Sequence, residues 1–256
     1  MPEDLAPAEF VRQYCIKSLV CCFSGGKDSL AATHYVTSSL EDVDIDKHVL
    51  FVDTTVMIPI AEPYVRDTCT RFGWHLTVVR PEVDFFTQAR TKGMPHVHRR
   101  WCCYALKLKP IFDFVRRLQP QRGEVTGLRE DESQRRRELG LTHVWHDTRK
   151  GMNAWHYKPI LKWTEKDVLA YIKKHDLPMP PQYRLGLKET CMCGAFSSPR
   201  QIMILKALYP DLFKKFVELE GAFKHDWACF WDKRPVYARE LAKQKTIVEA
   251  VNHEHE

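Results

Sequence analysis

The chain has 256 residues, 44% hydrophobic and 28% charged, with a formal net charge of +6 at pH 7. That balance suits a globular protein with a sizeable core and excludes a disordered or low-complexity chain. No run approaches the ~18 consecutive apolar residues of a membrane span, and the start, with Glu3 and Asp4, has no basic-then-apolar leader pattern.

The expected location is therefore the cytoplasm, where nine cysteines are not a disulfide framework. The positive charge suits an anionic ligand, with nucleic acid a further candidate. Basic residues gather at Arg99-Arg100, Lys107 to Lys109 and Arg135 to Arg137, the last of which also reads as a solvated helix face.

A helix is expected from Pro7 to Lys17, with proline at its first position. Leu19 to Phe23 is an apolar run, followed by Ser24-Gly25-Gly26-Lys27-Asp28-Ser29 and then Leu30 to Tyr35. This reads as strand, tight glycine loop and helix. Two glycines let the backbone turn sharply and approach a ligand, and the unpaired N–H groups opening a helix favour phosphate. Lys27 adds a point charge, Asp28 a carboxylate for Mg²⁺, and Ser24 and Ser29 hydroxyl donors. The competing reading is an ordinary strand-to-helix turn capped by Asp28 or Ser29. A Walker loop is excluded, because the four residues it places between glycine and Gly-Lys are absent.

His48 to Val52 is a second, buried strand ending at Asp53. Asp53 is expected to face the nucleotide from the strand's carboxyl end, or to be a plain loop carboxylate. Ile60 to Phe72 has helical spacing and Gly73 stops it; His75 to Val79 is a third strand. Thr91 to Arg100 reads as a loop. Cys102 to Leu118 reads as helix, with Pro110 kinking it or starting a new one. Glu124 to Gly127 is a fourth strand, leading to Arg129. Trp155 to Ile160 is extended, and Thr164 to Asp167 resembles a capping box for a helix reaching about His175. Ile202 to Leu219 and Val236 to Val251 read as further helices. Strands alternating with helices imply an α/β fold, a Rossmann-like parallel sheet flanked by helices, with ligands beyond the carboxyl ends of the strands.

The glycine loop and four later motifs, the first of them Phe51-Val52-Asp53-Thr54 as a second strand, carry a resemblance. The glycine loop resembles that of the ATP pyrophosphatases. Cys102-Cys103 with Lys107 and Pro110 resembles the Cys-Cys-x-x-x-Lys-x-x-Pro segment of the phosphoadenylylsulfate reductase family within that superfamily. Gly127-Leu128-Arg129 with Glu132-Ser133 resembles its Gly-x-Arg-x-x-Glu-Ser motif. Pro159-Ile160 with Trp163, Asp167, Val168, Tyr171 and Ile172 resembles its Pro-x-x-x-Trp segment. The likeness covers roughly residues 18–200.

The resemblance implies a loop that grips the pyrophosphate of ATP while an acceptor attacks the α-phosphorus. It makes Ser24, Gly25, Gly26, Lys27, Asp28, Ser29, Asp53, Gly127, Arg129 and Glu132 nucleotide contacts, with Lys27, Asp28, Lys107 and Arg129 catalytic. Arg129 can pair bidentately with phosphate or sulfate, and Glu132 is expected to orient its guanidinium. Lys107, one helical turn beyond Cys103, is expected to reach the same pocket; a solvent lysine is the plain alternative. Reductases of this family replace the Lys-Asp of the loop, whereas this chain has Lys27 and Asp28, as in ATP-cleaving members. It also lacks the family's late Glu-Cys-Gly-Leu-His segment, and has no cysteine after Cys229.

The adenylylsulfate reductase branch binds an iron–sulfur cluster with a Cys-Cys pair and a later Cys-x-x-Cys. Cys102-Cys103 and Cys191-Met192-Cys193 stand in those places, the second pair one residue short, with Cys229 as a possible substitute ligand. Four thiolates fit a [4Fe–4S] cluster or tetrahedral zinc; incidental buried cysteines are the remaining alternative. The resemblance to ATP-cleaving iron–sulfur members, such as the DNA-phosphorothioation enzyme, implies adenylation of an acceptor in a sulfur-transfer reaction. The sulfur would come from a donor protein or sulfide, the acceptor could be nucleic acid, and the chain could form a homo-oligomer. The rival readings are a sulfonucleotide reductase and a non-catalytic nucleotide or iron–sulfur binding subunit. Residues 1–185 are expected to form the nucleotide-binding domain, and 186–256 a cysteine loop and helical extension packed on it.

Overall fold

In the computed structural model, residues 5–96, 99–138, 142–148, 152–195 and 199–222 are described. They form a six-stranded sheet of order β3-β2-β1-β4-β6-β5, built from β1 (Ser18–Cys22), β2 (Asp46–Val52), β3 (Leu76–Val79), β4 (Arg122–Val125), β5 (Val144–Asp147) and β6 (Ala154–Tyr157). All neighbours are parallel except β5, which runs antiparallel to β6 at the edge. In β1 and β2, Leu19 to Cys21 and Val49 to Val52 are buried and apolar, because both sheet faces are covered.

Beyond the short α6 (Gln134–Glu138), α7 (Glu165–Lys174) joins α2 (Lys27–Ser39) and α3 (Ala61–Arg71) on one face, through Leu30, Val36, Val65 and Val168. The other packs against α5 (Lys109–Val115), where Ile111 and Val115 meet Val20, Leu50, Val52 and Ala154. Each such side chain, fully buried, contributes roughly 1.5–3 kcal/mol. The chain moves outward from β1 to β2 and β3, then returns to place β4 on the other side of β1. The order therefore reverses between β1 and β4, and a crevice opens there at the carboxyl ends of the strands.

Several elements differ from the sequence expectations. The first helix, α1 (Pro7–Gln13), stops early, because Cys15 takes φ 51° and Ile16 turns into the core. Thr91 and Lys92 belong to α4 (Phe85–Lys92) rather than to a loop; Asp84 caps it, accepting from Phe86 N at 2.8 Å and Thr87 N at 3.1 Å. The stretch after Cys102 is not one α-helix. Cys103–Leu108 is a π-helical turn, and α5 begins at Lys109 with Pro110 in its first turn. Proline has no N–H to give back and crowds the carbonyl four residues earlier, so the ladder changes register ahead of it. The expected helix over Ile202 to Leu219 is two, α8 (Pro199–Leu208) and α9 (Pro210–Gly221), divided at Pro210. By contrast, Thr164 caps α7 as the box predicts: its Oγ1 accepts from Asp167 N at 3.2 Å and Asp167 Oδ2 accepts from Thr164 N at 2.8 Å. The expected helix Val236 to Val251 and Cys229 lie outside the described residues.

Phe216 of α9 packs on Phe85 and Phe86 of α4, and Ile202, Phe213 and Phe216 join the same core as the sheet. Among the described residues, no helix is long and apolar enough to cross a membrane.

Candidate active site at the strand-order reversal

The glycine loop follows β1 directly and opens α2. Gly25 has φ 78°, a conformation that costs glycine little. Gly26, at the N-cap of α2, has no side chain to bond the helix N–H groups; Tyr183 Oη accepts that of Lys27, and a helix opening of this kind suits anionic oxygens. Ser29 Oγ donates to Gly26 O at 3.0 Å and accepts from Ser24 N at 3.2 Å, while the two serine hydroxyls lie 3.0 Å apart. The loop is thus tied to itself by its own hydroxyls. From β4, Gly127 crosses so close that a Cβ there would stand 2.7 Å from the backbone of Asp28 and Ser29; no larger residue fits without moving one of the two backbones.

Lys27 Nζ lies 2.9 Å from Asp28 Oδ2 and 3.4 Å from Glu165 Oε1 on α7. Burial works to lower the Lys27 pKa, but the hydrogen bond and charge of Asp28 outweigh it, and the net shift is upward. Asp28 Oδ1 in turn accepts from Arg129 Nε at 2.7 Å. Arg129 is buried and also donates from Nη1 to Asp131 Oδ2 at 3.3 Å and Trp163 O at 3.4 Å. The expectation that Glu132 orients this guanidinium is not met. Glu132 Oε1 accepts from the Arg129 backbone N at 3.1 Å and its carboxylate pairs with Arg136, while Asp28 and Asp131 hold the fork.

A cavity of about 370 Å³ lies over the β1–β4 crevice. Ser24, Gly26, Asp28, Ser29, Lys107, Gly127, Glu132 and Cys191 all line it. Asp53 does not: its Oδ2 accepts from Arg80 Nε at 2.8 Å and its Oδ1 from Thr55 N at 2.8 Å, which leaves it the plain loop carboxylate. Lys107 reaches the cavity from the π-helical turn, where its charge acts on Cys22 and Glu124.

The segment leading to the second cysteine pair also closes on the loop. Gln182, fully buried, donates from Nε2 to Gly25 O at 2.7 Å. Tyr183 Oη accepts from Lys27 N at 3.3 Å, and Thr190 Oγ1 donates to Ser24 O at 3.3 Å. Neither these residues nor Glu165 carries a signal that sequence spacing could have found, since each contact spans more than a hundred residues.

Ile58 N donates to Thr190 O, and Met192 N to Val56 O, each at 2.8 Å. These bonds bring Cys191 and Cys193 alongside Cys102 and Cys103. The four thiols perturb one another. The facing Cys103 raises Cys102 to about 12, and Cys102 lowers Cys103 to about 7. Cys102 raises Cys193 to about 12, and Cys193 holds Cys191 well above the usual thiol value. Thr54 Oγ1 lies 3.6 Å from Cys191 Sγ. All four are free thiols. Among the described residues, no three His, Cys, Asp or Glu side chains close on one point as a single metal ion requires.

The family profile described as the phosphoadenosine phosphosulfate reductase domain matches residues 18–212. The chain belongs to that family. Among its relatives, a phosphoadenosine 5′-phosphosulfate reductase of Gloeobacter violaceus is 31% identical over 72% of this chain and 74% of its own length. An adenosine 5′-phosphosulfate reductase of Salinibacter ruber is 28% identical over 57% of this chain and 56% of its own. An uncharacterised protein of Methanocaldococcus jannaschii is 27% identical over 86% of this chain. The chain spans about half the length of the last two, 56% and 53%. In fold it resembles a phosphoadenylyl-sulfate reductase from Candida auris (TM-score 0.54, 19% identity, 76% of this chain and 90% of that one). It also resembles an FMN adenylyltransferase from Candida glabrata (TM-score 0.56, 14% identity, 95% and 77%). The family's nucleotide-binding architecture, a mostly parallel sheet with helices on both faces, is the one described above.

Proposed function

We propose that this member of the reductase family cleaves ATP to pyrophosphate and adenylates an acceptor oxygen in a sulfur-transfer reaction. The observation that carries the reading is Lys27 and Asp28, paired at 2.9 Å in the glycine loop over the strand-order reversal. The N–H groups opening α2 and the Lys27 ammonium suit the β- and γ-phosphate oxygens. Asp28 offers a carboxylate that would hold Mg²⁺, and Arg129 keeps it in place. Lys107 brings a second cation to the cavity wall. Charges fixed before the reaction favour the transition state, because nothing need reorganise as the α-phosphorus gains its fifth ligand.

The four cysteines fit an iron–sulfur group by their chemistry: soft thiols only, Cys102 and Cys193 buried, with Cys191 on the wall of the same cavity. Cys102, Cys103, Cys191 and Cys193 would hold a [4Fe–4S] cluster, with Cys229 the substitute for one of them. Such a cluster supplies a place to hold sulfur for transfer rather than a path for electrons. Zinc finds less support, given how the side chains stand. On this reading residues 1–185 supply the nucleotide half of the site and 186–256 the rest of the cysteine half. A cytoplasmic setting keeps the thiols reduced, sulfur arrives from a donor protein or as sulfide, and the basic clusters leave nucleic acid a candidate acceptor.

The rival is a sulfonucleotide reductase, favoured by the names of the relatives; a subunit that binds nucleotide without turnover is the third reading. One experiment separates them. The anaerobically purified chain is given Mg-ATP, and AMP and pyrophosphate are measured, with Lys27→Ala in parallel. Pyrophosphate release by the wild type, and ATP affinity at least tenfold weaker in Lys27→Ala, support the proposal. Tight binding of phosphoadenylylsulfate with no pyrophosphate from ATP supports the reductase instead.

A further inference from the structure

The mechanism above leaves unused a row of buried titratable groups running across the sheet from the cavity. Glu124 on β4 pairs in register with His156 on β6, and His156 with Trp145 on β5. Glu124 lines the cavity yet is only 4% exposed. Its Oε1 lies 3.6 Å from the Cys22 thiol, which donates to it. Its Oε2 stands 3.3 Å from His156 Nδ1 and, among the described residues, makes no hydrogen bond. His156 Nε2 is 3.6 Å from Asp147 Oδ2, and Asp147 is buried on the edge strand. Trp145, 40% exposed, stacks on the imidazole with ring centroids 4.6 Å apart.

A carboxyl oxygen left without a hydrogen bond at the wall of a ligand cavity costs stability unless a ligand or a proton completes it. Of the other acids on that wall, Asp28 is paired with Lys27 and Arg129 and Glu132 with Arg136, while Glu189 stands exposed to solvent. Glu124 has no Lys or Arg at ion-pair distance among the described residues. Burial raises its pKa to about 7, the range in which a general base works best at neutral pH.

We propose that Glu124 is the proton acceptor of the reaction at the glycine loop, with His156 and Asp147 positioning its carboxylate and sharing the proton it takes. The inference rests on the adenylation reading. In the step it describes, the acceptor's O–H oxygen forms a bond to the α-phosphorus. The bond from that phosphorus to the bridging oxygen breaks, pyrophosphate leaves with the electron pair, and the acceptor's proton passes to Glu124. The acceptor is thus an O–H compound, with water able to take its place in an assay.

The test is pyrophosphate release from Mg-ATP by the full chain, with water as acceptor, between about pH 5.5 and 9. The wild-type kcat should rise through a limb near pH 7, as Glu124 ionises against the Cys22 thiol, His156, Asp147 and the Lys107 charge that face it. Glu124→Gln should lose roughly 100-fold in kcat and the limb with it, while KM for ATP stays within about twofold. His156→Gln should keep most of the rate but move the limb. If Glu124→Gln does not fold, Glu124→Asp decides: a lower kcat with the limb retained supports the role, and an unchanged kcat overturns it. A Glu124→Gln enzyme with wild-type rate and limb overturns this proposal and leaves the adenylation reading standing. No pyrophosphate from the wild type overturns both.

Discussion

Arg129 donates from Nε to Asp28 Oδ1 across 2.7 Å, and that one bond ties the loop after β4 to the loop after β1. It spans the place where the strand order reverses, so it fixes the width of the crevice a nucleotide would enter. A guanidinium only 4% exposed in its side chain would be costly without its carboxylates.

Arg129→Ala should therefore act on the fold before it acts on any ligand. Removing one partner of a largely buried pair leaves Asp28 facing Lys27 alone, and the expected loss is about 3 kcal/mol. Urea unfolding followed by circular dichroism measures it. A midpoint equal to wild type at equal slope would show that Arg129 is no anchor.

Gly127→Ala tests the second tie between the same loops. A Cβ there stands 2.7 Å from the Asp28 carbonyl group and Ser29 N, and backbone cannot swing aside as a flexible side chain can. The expected outcome is a destabilisation of about 1–3 kcal/mol, with nucleotide affinity reduced at least tenfold as the loop shifts. Gly73→Ala is the comparison: a Cβ there meets nothing within 4 Å, so its φ of 66° is the whole cost, about 1 kcal/mol.

These two contacts mark what the sequence made legible. Ser24 to Ser29 are legible from local pattern, because a glycine loop after an apolar run carries its geometry in consecutive residues, whereas Gly127 and Arg129 are singled out by the family resemblance. The partners were not legible. Glu132, three residues from Arg129, looked like its orienting acid, yet Asp28, 101 residues away, takes that place. Asp53 sat at the end of a strand as a ligand-facing carboxylate would, and Arg80 claims it. Edge strand β5 and its Asp147 left no signal, since four residues of mixed polarity do not announce a strand. Pro110 marks a break in the sequence as in the structure, but a π-helical turn and an α-helix have nearly the same apolar spacing over six residues.

The cysteine prediction follows from the placement of one pair at the start of the π-helical turn and the other in the segment after Thr190. Serine at Cys102, Cys103, Cys191 or Cys193 should each lower the iron content of an anaerobic preparation from about four per chain, with turnover falling in parallel. Elemental analysis reads it directly. One zinc per chain would make the site a structural knot, and a metal-free wild type would defeat the cluster. Iron kept in Cys193→Ser but lost in Cys229→Ser would transfer the fourth ligand to Cys229.

Glu124 makes a prediction about stability that needs no ligand and no turnover. Burial lifts its folded-state pKa from 4.5 to about 7, opposed by the Cys22 hydrogen bond and the Lys107 charge and reinforced by Asp147. The native state therefore holds a proton that the unfolded chain has already lost between those two values. Stability must fall as pH rises through that window and level off above it. Glu124→Gln keeps the shape and cannot ionise, so its stability should lack this decline. Relative to wild type, the variant should gain on the order of 3 kcal/mol between pH 4 and pH 8, read by urea unfolding at each pH. Protonation of His156, 3.3 Å away, works in the opposite sense, because an imidazolium would favour the carboxylate. A difference between variant and wild type that stays flat from pH 4 to pH 8 would mean that the imidazolium pairs with Glu124 fully, and that the carboxyl is ionised throughout.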